Sequence, residues 1–170
     1  MTDGRSRTIA GLSASVLLLT SCSSTTEEAA TQTLTTAAGP VTSAPEAGNV
    51  AGTVVRFRND RHTVDVVIDN DTAATRDLVA MLPLTLTVDD HAGSEKIAYL
   101  PRALTHTGVP GSDPDNGDFV YYAPWGNLVF YYDATGIEFS DDTVHLGTFD
   151  ATAEQLAGLE TGSVTAEVTS

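Results

Sequence analysis

Residues 118–132 limit the fold of this chain more than any other stretch. Two runs, 118–122 and 127–132, carry apolar and aromatic side chains at a period of two, and Ala123-Pro124-Trp125-Gly126 between them is a turn. Successive side chains of a strand point to opposite faces, so two such runs joined by a short turn read as an antiparallel hairpin. If Phe119, Tyr121, Phe130 and Tyr132 share one face, Tyr122 and Tyr131 must take the other.

The same period recurs on both sides of the hairpin. Residues 52–58 and 63–68 alternate around a turn at Asn59-Asp60, with Val55 and Phe57 on one side. Asp71 or Thr72 caps a helix whose apolar face is Leu78, Val79, Met81 and Leu82. Pro83 ends it, because the residue before a proline avoids the helical region. Residues 84–88 alternate as a strand and lead into a polar loop through His91-Ala92-Gly93-Ser94. A short strand at 96–100 precedes a long Gly-, Pro- and Asp-rich loop, 105–117. A strand at 144–149, a short helix at 153–159 and a strand at 163–168 complete the chain. About eight strands with two short helices predict a mainly β domain, closed into a barrel with helical plugs.

The first fifty residues cannot belong to that barrel. From Ser23 to Asn49 the chain is almost wholly Ser, Thr, Ala, Gly, Pro and Glu, with only Leu34 and Val41 as scattered larger apolar residues. Such a stretch reads as a disordered tether. Ahead of it, Arg5 and Arg7 precede an apolar run over residues 9–19, and Thr20-Ser21-Cys22 follows. This is the form of a secretory signal and is too short for a stop-transfer span. It resembles the bacterial lipobox, in which the cysteine takes a diacylglyceryl thioether and becomes the amino terminus after cleavage before it. Cys22 is the one cysteine of the chain, so no intramolecular disulfide competes for it. The organisation expected is a lipoprotein signal peptide over 1–21, a lipidated tether over 22–50 and a barrel over 51–170. Lipid on Cys22 would hold the chain at the cell membrane, facing outside the cytoplasm.

Charge narrows the partners. Eight basic residues stand against 23 acidic ones, a formal net charge of −15. A chain so acidic repels nucleic acid and anionic headgroups, which leaves neutral or cationic ligands, or simple solubility. The sequence calls for no cofactor, since it has no glycine-rich phosphate cradle. A monomer is expected.

Several local words, taken in order, resemble the bacterial cyclophilin-like family. They are the helix and its exit at Asp71-Thr72 through Met81-Leu82-Pro83-Leu84, then Ala98-Tyr99-Leu100-Pro101, and Gly117-Asp118-Phe119-Val120-Tyr121-Tyr122 running into Leu128-Val129-Phe130. The resemblance spans most of residues 52–169 and implies a small barrel related in fold to peptidyl-prolyl isomerases. It implies no intact active site. The Phe-His-Arg word that carries the isomerase arginine is missing, and Tyr99-Leu100-Pro101-Arg102 is the nearest substitute. Asp118 stands where the resemblance leads one to expect a glutamine.

Candidate site residues follow from chemistry and place. Rings with polar tips at a barrel surface suit an apolar or peptide ligand, and Arg102 adds a cation to a domain short of them. The expectation is a pocket where loop 105–117 overhangs the aromatic hairpin. Phe119, Tyr121 and Phe130 would line it, with Tyr99, Arg102 and Trp125 at the rim. The Asp113-Pro114-Asp115-Asn116-Gly117-Asp118 run departs from a calcium loop in the place of its glycine and in lacking the closing glutamate, so it reads as a polar turn. The four histidines lack close metal spacing, and no metal site is expected. The leading reading is a surface-tethered binding module for a peptide or small ligand without efficient catalysis. The alternative is a peptidyl-prolyl isomerase acting on exported proteins, with Arg102 as its weak catalytic candidate.

Overall fold

Turn chemistry sets the strand ends in the computed structural model, which describes residues 48–169. The strands are β1 (Val54–Arg58), β2 (Thr63–Ile68), β3 (Leu84–Leu86), β4 (Asp89–His91), β5 (Glu95–Tyr99), β6 (Asp118–Tyr122), β7 (Asn127–Tyr131), β8 (Thr143–Phe149) and β9 (Val164–Val168). Helix α1 (Ala73–Met81) follows β2, and α2 (Ala153–Ala157) follows β8 and runs into a 3₁₀ turn at Gly158–Glu160. Each α-helix starts on a capping box, Thr72 with Thr75 and Thr152 with Gln155. In both, the cap side chain and the third helical residue each satisfy a backbone N–H the other would leave free.

The nine strands form one sheet in the order β3-β9-β1-β2-β8-β6-β7-β5-β4, with every neighbouring pair antiparallel. The closed barrel expected from sequence is therefore corrected: the sheet curls around its core, but end strands β3 and β4 do not pair. Both are three residues long, and β4 is Asp-Asp-His, too short and too polar to extend a seam. Side chains from opposite ends of the sheet meet instead. Lys96 of β5 is 5 % exposed, and its Nζ lies 2.5 Å from Asp90 of β4 and 2.5 Å from Glu160 just ahead of β9. Burial opposes the charge on Lys96, but its hydrogen bonds to the two carboxylates outweigh that cost and raise its pKa. A bulge between Phe119 and Val120, where β6 meets β8, adds local twist.

Alternation sorts the hairpin as the sequence predicts. Phe119 pairs with Phe130 and Tyr121 with Leu128 on the inner face, where all four are buried. Phe57, Phe119 and Phe130 meet edge to face or tilted with centroids 4.8–5.5 Å apart, and Phe149 joins Phe130 at 5.5 Å. Helix α1 adds Ala74 and Leu78 to this core, and the turn after α2 adds Leu159. The core also takes Val50, which composition assigns to the tether. It is 8 % exposed, and its N–H donates to Asp71 Oδ1. One valine in a Ser- and Ala-rich stretch gives no period to read. Cys22, the signal peptide and the tether up to residue 47 lie outside the described residues. Among the described residues no helix is long and apolar enough to cross a membrane.

Candidate functional site

Strands β5, β6 and β7 are buried on their outer as well as their inner face. All five residues of β7 are buried, although only Leu128 and Phe130 belong to the inner core. Ile97, Val120, Val129 and Tyr131 form a second cluster on the outer face, and Ala134 from the chain after β7 lies over it. That covering segment is held by two backbone hydrogen bonds between Ser112 and Ser140 and by Ser112 Oγ donating to Thr143 O at 2.9 Å. Gly111 is required there. A Cβ at this position would lie 2.3 Å from Ser140 O.

The cover is incomplete, and a cleft of about 350 Å³ opens beside the second cluster. Its floor is the cross-strand row Asn127 (β7), Tyr122 (β6) and Thr143 (β8). Trp125 stands at one wall, 5.5 Å from Tyr122 and 5.1 Å from His91, edge-on to both. Glu95, across the ladder from Tyr131, forms another wall, and Ile137 and Glu138 of the covering segment complete it.

Two groups in the cleft lack what burial demands. Asn127 is 0 % exposed, yet neither its Nδ2 nor its Oδ1 has a hydrogen-bond partner. A buried amide without partners costs stability, and this one belongs to a residue that lines the cleft. Glu95 is half-buried. Burial raises its carboxyl pKa against the opposing effect of a hydrogen bond from Tyr131, and burial together with the Glu95 charge pushes the Tyr131 hydroxyl upward. No lysine or arginine pairs with Glu95 or Glu138 among the described residues, and His91 stands across the ladder from Glu95.

The structure divides the residues that sequence reasoning gathered into one pocket. Phe119, Tyr121 and Phe130 are 0 % exposed in the inner core, so the expectation that they line a pocket is corrected. Strand alternation turns them inward, and the start of loop 105–117 packs over that side, with His106 5.7 Å from the Tyr121 ring and Val109 against the same core. Leu104, just before that loop, is buried in the core, and its N–H donates to the Tyr121 hydroxyl. Trp125 does line the cleft, while Tyr99, 55 % exposed, sits across the ladder from Asn127 on the outer face. Arg102 is exposed and forks onto Asp77 of α1, at 2.6 and 2.8 Å. Asp77 also accepts from Thr105 N, and these bonds hold its carboxyl far below the usual range. Asp115 N donates to Asp118 Oδ2, closing the acidic run as a turn.

Asn127 and Glu95 escaped the sequence reading. Asn127 follows a turn and resembles a turn residue, but it opens a strand whose next four residues are apolar or aromatic. A polar residue in step with the outer face of such a strand is the signal that marks it.

Residues 57–169 match the model of the cyclophilin-like family, about two thirds of the chain. The chain belongs to the cyclophilin-like family. Among solved structures, its fold is similar to the solution structure of a hypothetical protein from Archaeoglobus fulgidus. The TM-score is 0.53 at 17 % identity, over 72 % of this chain and 98 % of that one. At that identity the likeness is one of fold alone. No curated protein matches the sequence. Within this cyclophilin-like domain, the arginine nearest to an isomerase role is the one committed to Asp77, and it does not line the cleft.

Proposed function

We propose that the chain is a lipid-anchored, cyclophilin-like binding module at the outer side of the cell membrane, and that it takes a peptide or small ligand in the cleft between Trp125 and Glu95. The observation that carries the site is Asn127: a fully buried amide, unpartnered on both its atoms, at the floor of an open cleft. Exposed aromatic walls over a polar floor favour recognition of a ligand that is partly apolar. The lipobox-like Leu19-Thr20-Ser21-Cys22 and the tether-like stretch support the placement, since together they would hold the domain a short distance off the bilayer.

Two measurements test this reading. The full chain expressed in a bacterium that processes lipoproteins should fractionate with membranes, and Cys22→Ser should release it. Membrane retention of Cys22→Ser would overturn the anchor. Chemical-shift mapping with a mixed library of capped dipeptides should perturb Trp125, Asn127 and Tyr122 first. Shifts centred on α1 or on Arg102 would overturn the site.

A further inference from the structure

We infer that the cleft takes a basic side chain of a peptide segment, its cation held between Trp125 and Glu95 and its peptide amide bonded by Asn127. The inference rests on the cleft being the binding site and adds the chemistry of its occupant.

Charge comes first. The described residues hold six Lys and Arg side chains. Arg56 pairs with Asp65, Arg58 with Glu167, Arg76 with Asp71, Lys96 with Asp90 and Glu160, and Arg102 with Asp77. Arg61 is exposed in the turn between β1 and β2 and does not line the cleft. Two carboxylates of the cleft, Glu95 and Glu138, thus have no lysine or arginine partner from the domain itself, and the imidazole of His91, across the ladder from Glu95, is the one basic ring beside them among the described residues. A half-buried carboxylate beside aromatic rings gains more from a cation than one in open water, because the surrounding medium screens the pair less.

The rings make the same demand. Trp125 and Tyr122 present π faces and edges in the cleft, and an indole is the best side-chain partner for a cation. The domain already contains one such arrangement. On the inner side of the same strand, Lys96 Nζ lies 5.1 Å from the centre of the Tyr132 ring and between two carboxylates. Lys96 and Glu95 are neighbours in sequence, so alternation places one acid-and-ring nest inside with its lysine present and another outside with no lysine or arginine.

Asn127 selects for more than a bare cation. A primary amide offers one acceptor and a donor pair, which match the N–H and C=O of a peptide unit in a two-point contact. A small quaternary cation would leave that amide unpaired, and an inorganic one would leave at least its N–H donors so. A cleft of about 350 Å³ suits one long side chain with its own peptide unit and excludes a bulky fold.

The test uses the full chain and two isosteric probes, Nα-acetyl-arginine amide and Nα-acetyl-citrulline amide, which differ in charge and little in shape. Trp125 is the only tryptophan, so its fluorescence reports the cleft directly. The arginine probe should bind at least tenfold more tightly than the citrulline probe, and Glu95→Gln should reduce that preference to less than threefold. Tetramethylammonium should bind more weakly than the arginine probe. Equal binding of both amides would overturn the basic-side-chain inference while leaving the cleft as a binding site. Tetramethylammonium binding as tightly as the arginine probe would overturn the role given to Asn127. Failure of every probe, together with library shifts elsewhere on the domain, would overturn the site itself. The comparison of probes on the unmodified chain stands even if Glu95→Gln does not fold.

Discussion

Strands β5, β6 and β7 have two buried faces built to opposite rules. On the inner face, the aromatic rings touch one another, Tyr121 has its hydrogen bond and Lys96 has two carboxylates. On the outer face, a smaller apolar cluster borders an amide without partners and two acids without a lysine or arginine. A face that only stabilises has no reason to keep an unpaired Asn127, because a buried polar group without a partner costs about 1–3 kcal/mol. The contrast teaches that one ladder of backbone hydrogen bonds serves both purposes. Parity along the strand decides which side chain goes to which, and adjacent residues such as Glu95 and Lys96 end up in unrelated environments.

The largest break in that comparison should come from Phe130→Ala. Its ring meets Phe57, Phe119 and Phe149, and truncation leaves a cavity in the inner core. The expected loss is about 3–5 kcal/mol in urea unfolding. Trp125→Ala, at a rim residue 47 % exposed, should cost at most about 1 kcal/mol. Similar losses for the two would mean that the cleft wall is part of the core.

Asn127→Leu reverses the sign. Leucine keeps the branched shape and removes both unpaired polar atoms, so the ligand-free chain should gain about 1–2 kcal/mol in the same unfolding experiment. Binding at the cleft should be lost with it. A destabilised Asn127→Leu chain with full binding would show that the amide is satisfied in solution and is no part of recognition.

How much of this was legible in the sequence depends on how far apart the deciding residues lie. Period-two alternation is local, so the hairpin, its parity and most strands could be read directly. Thr72 and Pro83 likewise marked α1, because caps and breakers act within a turn of the helix. The end of the sheet was harder. Asp89-Asp90-His91 has no apolar signal and becomes a strand only because β5 offers it a ladder, with Ala92 and Gly93 both at positive φ in the turn between them. The site was harder still. Whether Arg102 is free depends on Asp77, 25 residues earlier, and whether the inward rings meet an open pocket depends on where Leu104, His106 and Val109 pack. Loop 105–117 was expected over the hairpin's aromatic face, and its start, His106 and Val109, does pack there. Nothing in its composition tells that Ser112 would tie it to Ser140.

The smallest expected effect concerns pH, and it separates the two faces again through neighbouring carboxylates. Asp90 belongs to the Lys96 nest: hydrogen bonds from Lys96 and then from the Tyr132 hydroxyl lower its pKa from 3.8 to about 2. A depressed carboxyl contributes stability that is present above 3.8 and lost as pH falls toward 2. Because its side chain is 37 % exposed, solvent screens the pair and the contribution should not exceed about 1 kcal/mol. Glu95 has the opposite sign. Its raised pKa means that ionisation costs stability, a cost present above the folded pKa and relieved as pH falls through it toward the ordinary 4.5. Unfolding midpoints measured from pH 7 down to pH 2 should therefore respond to the two variants in different windows. Asp90→Asn should flatten the fall between about pH 4 and pH 2. Glu95→Gln should be the more stable chain at pH 7, with its advantage disappearing by about pH 4. If Glu95→Gln is instead less stable at neutral pH, the outer carboxylate already has a partner, and the cleft needs no cation from outside.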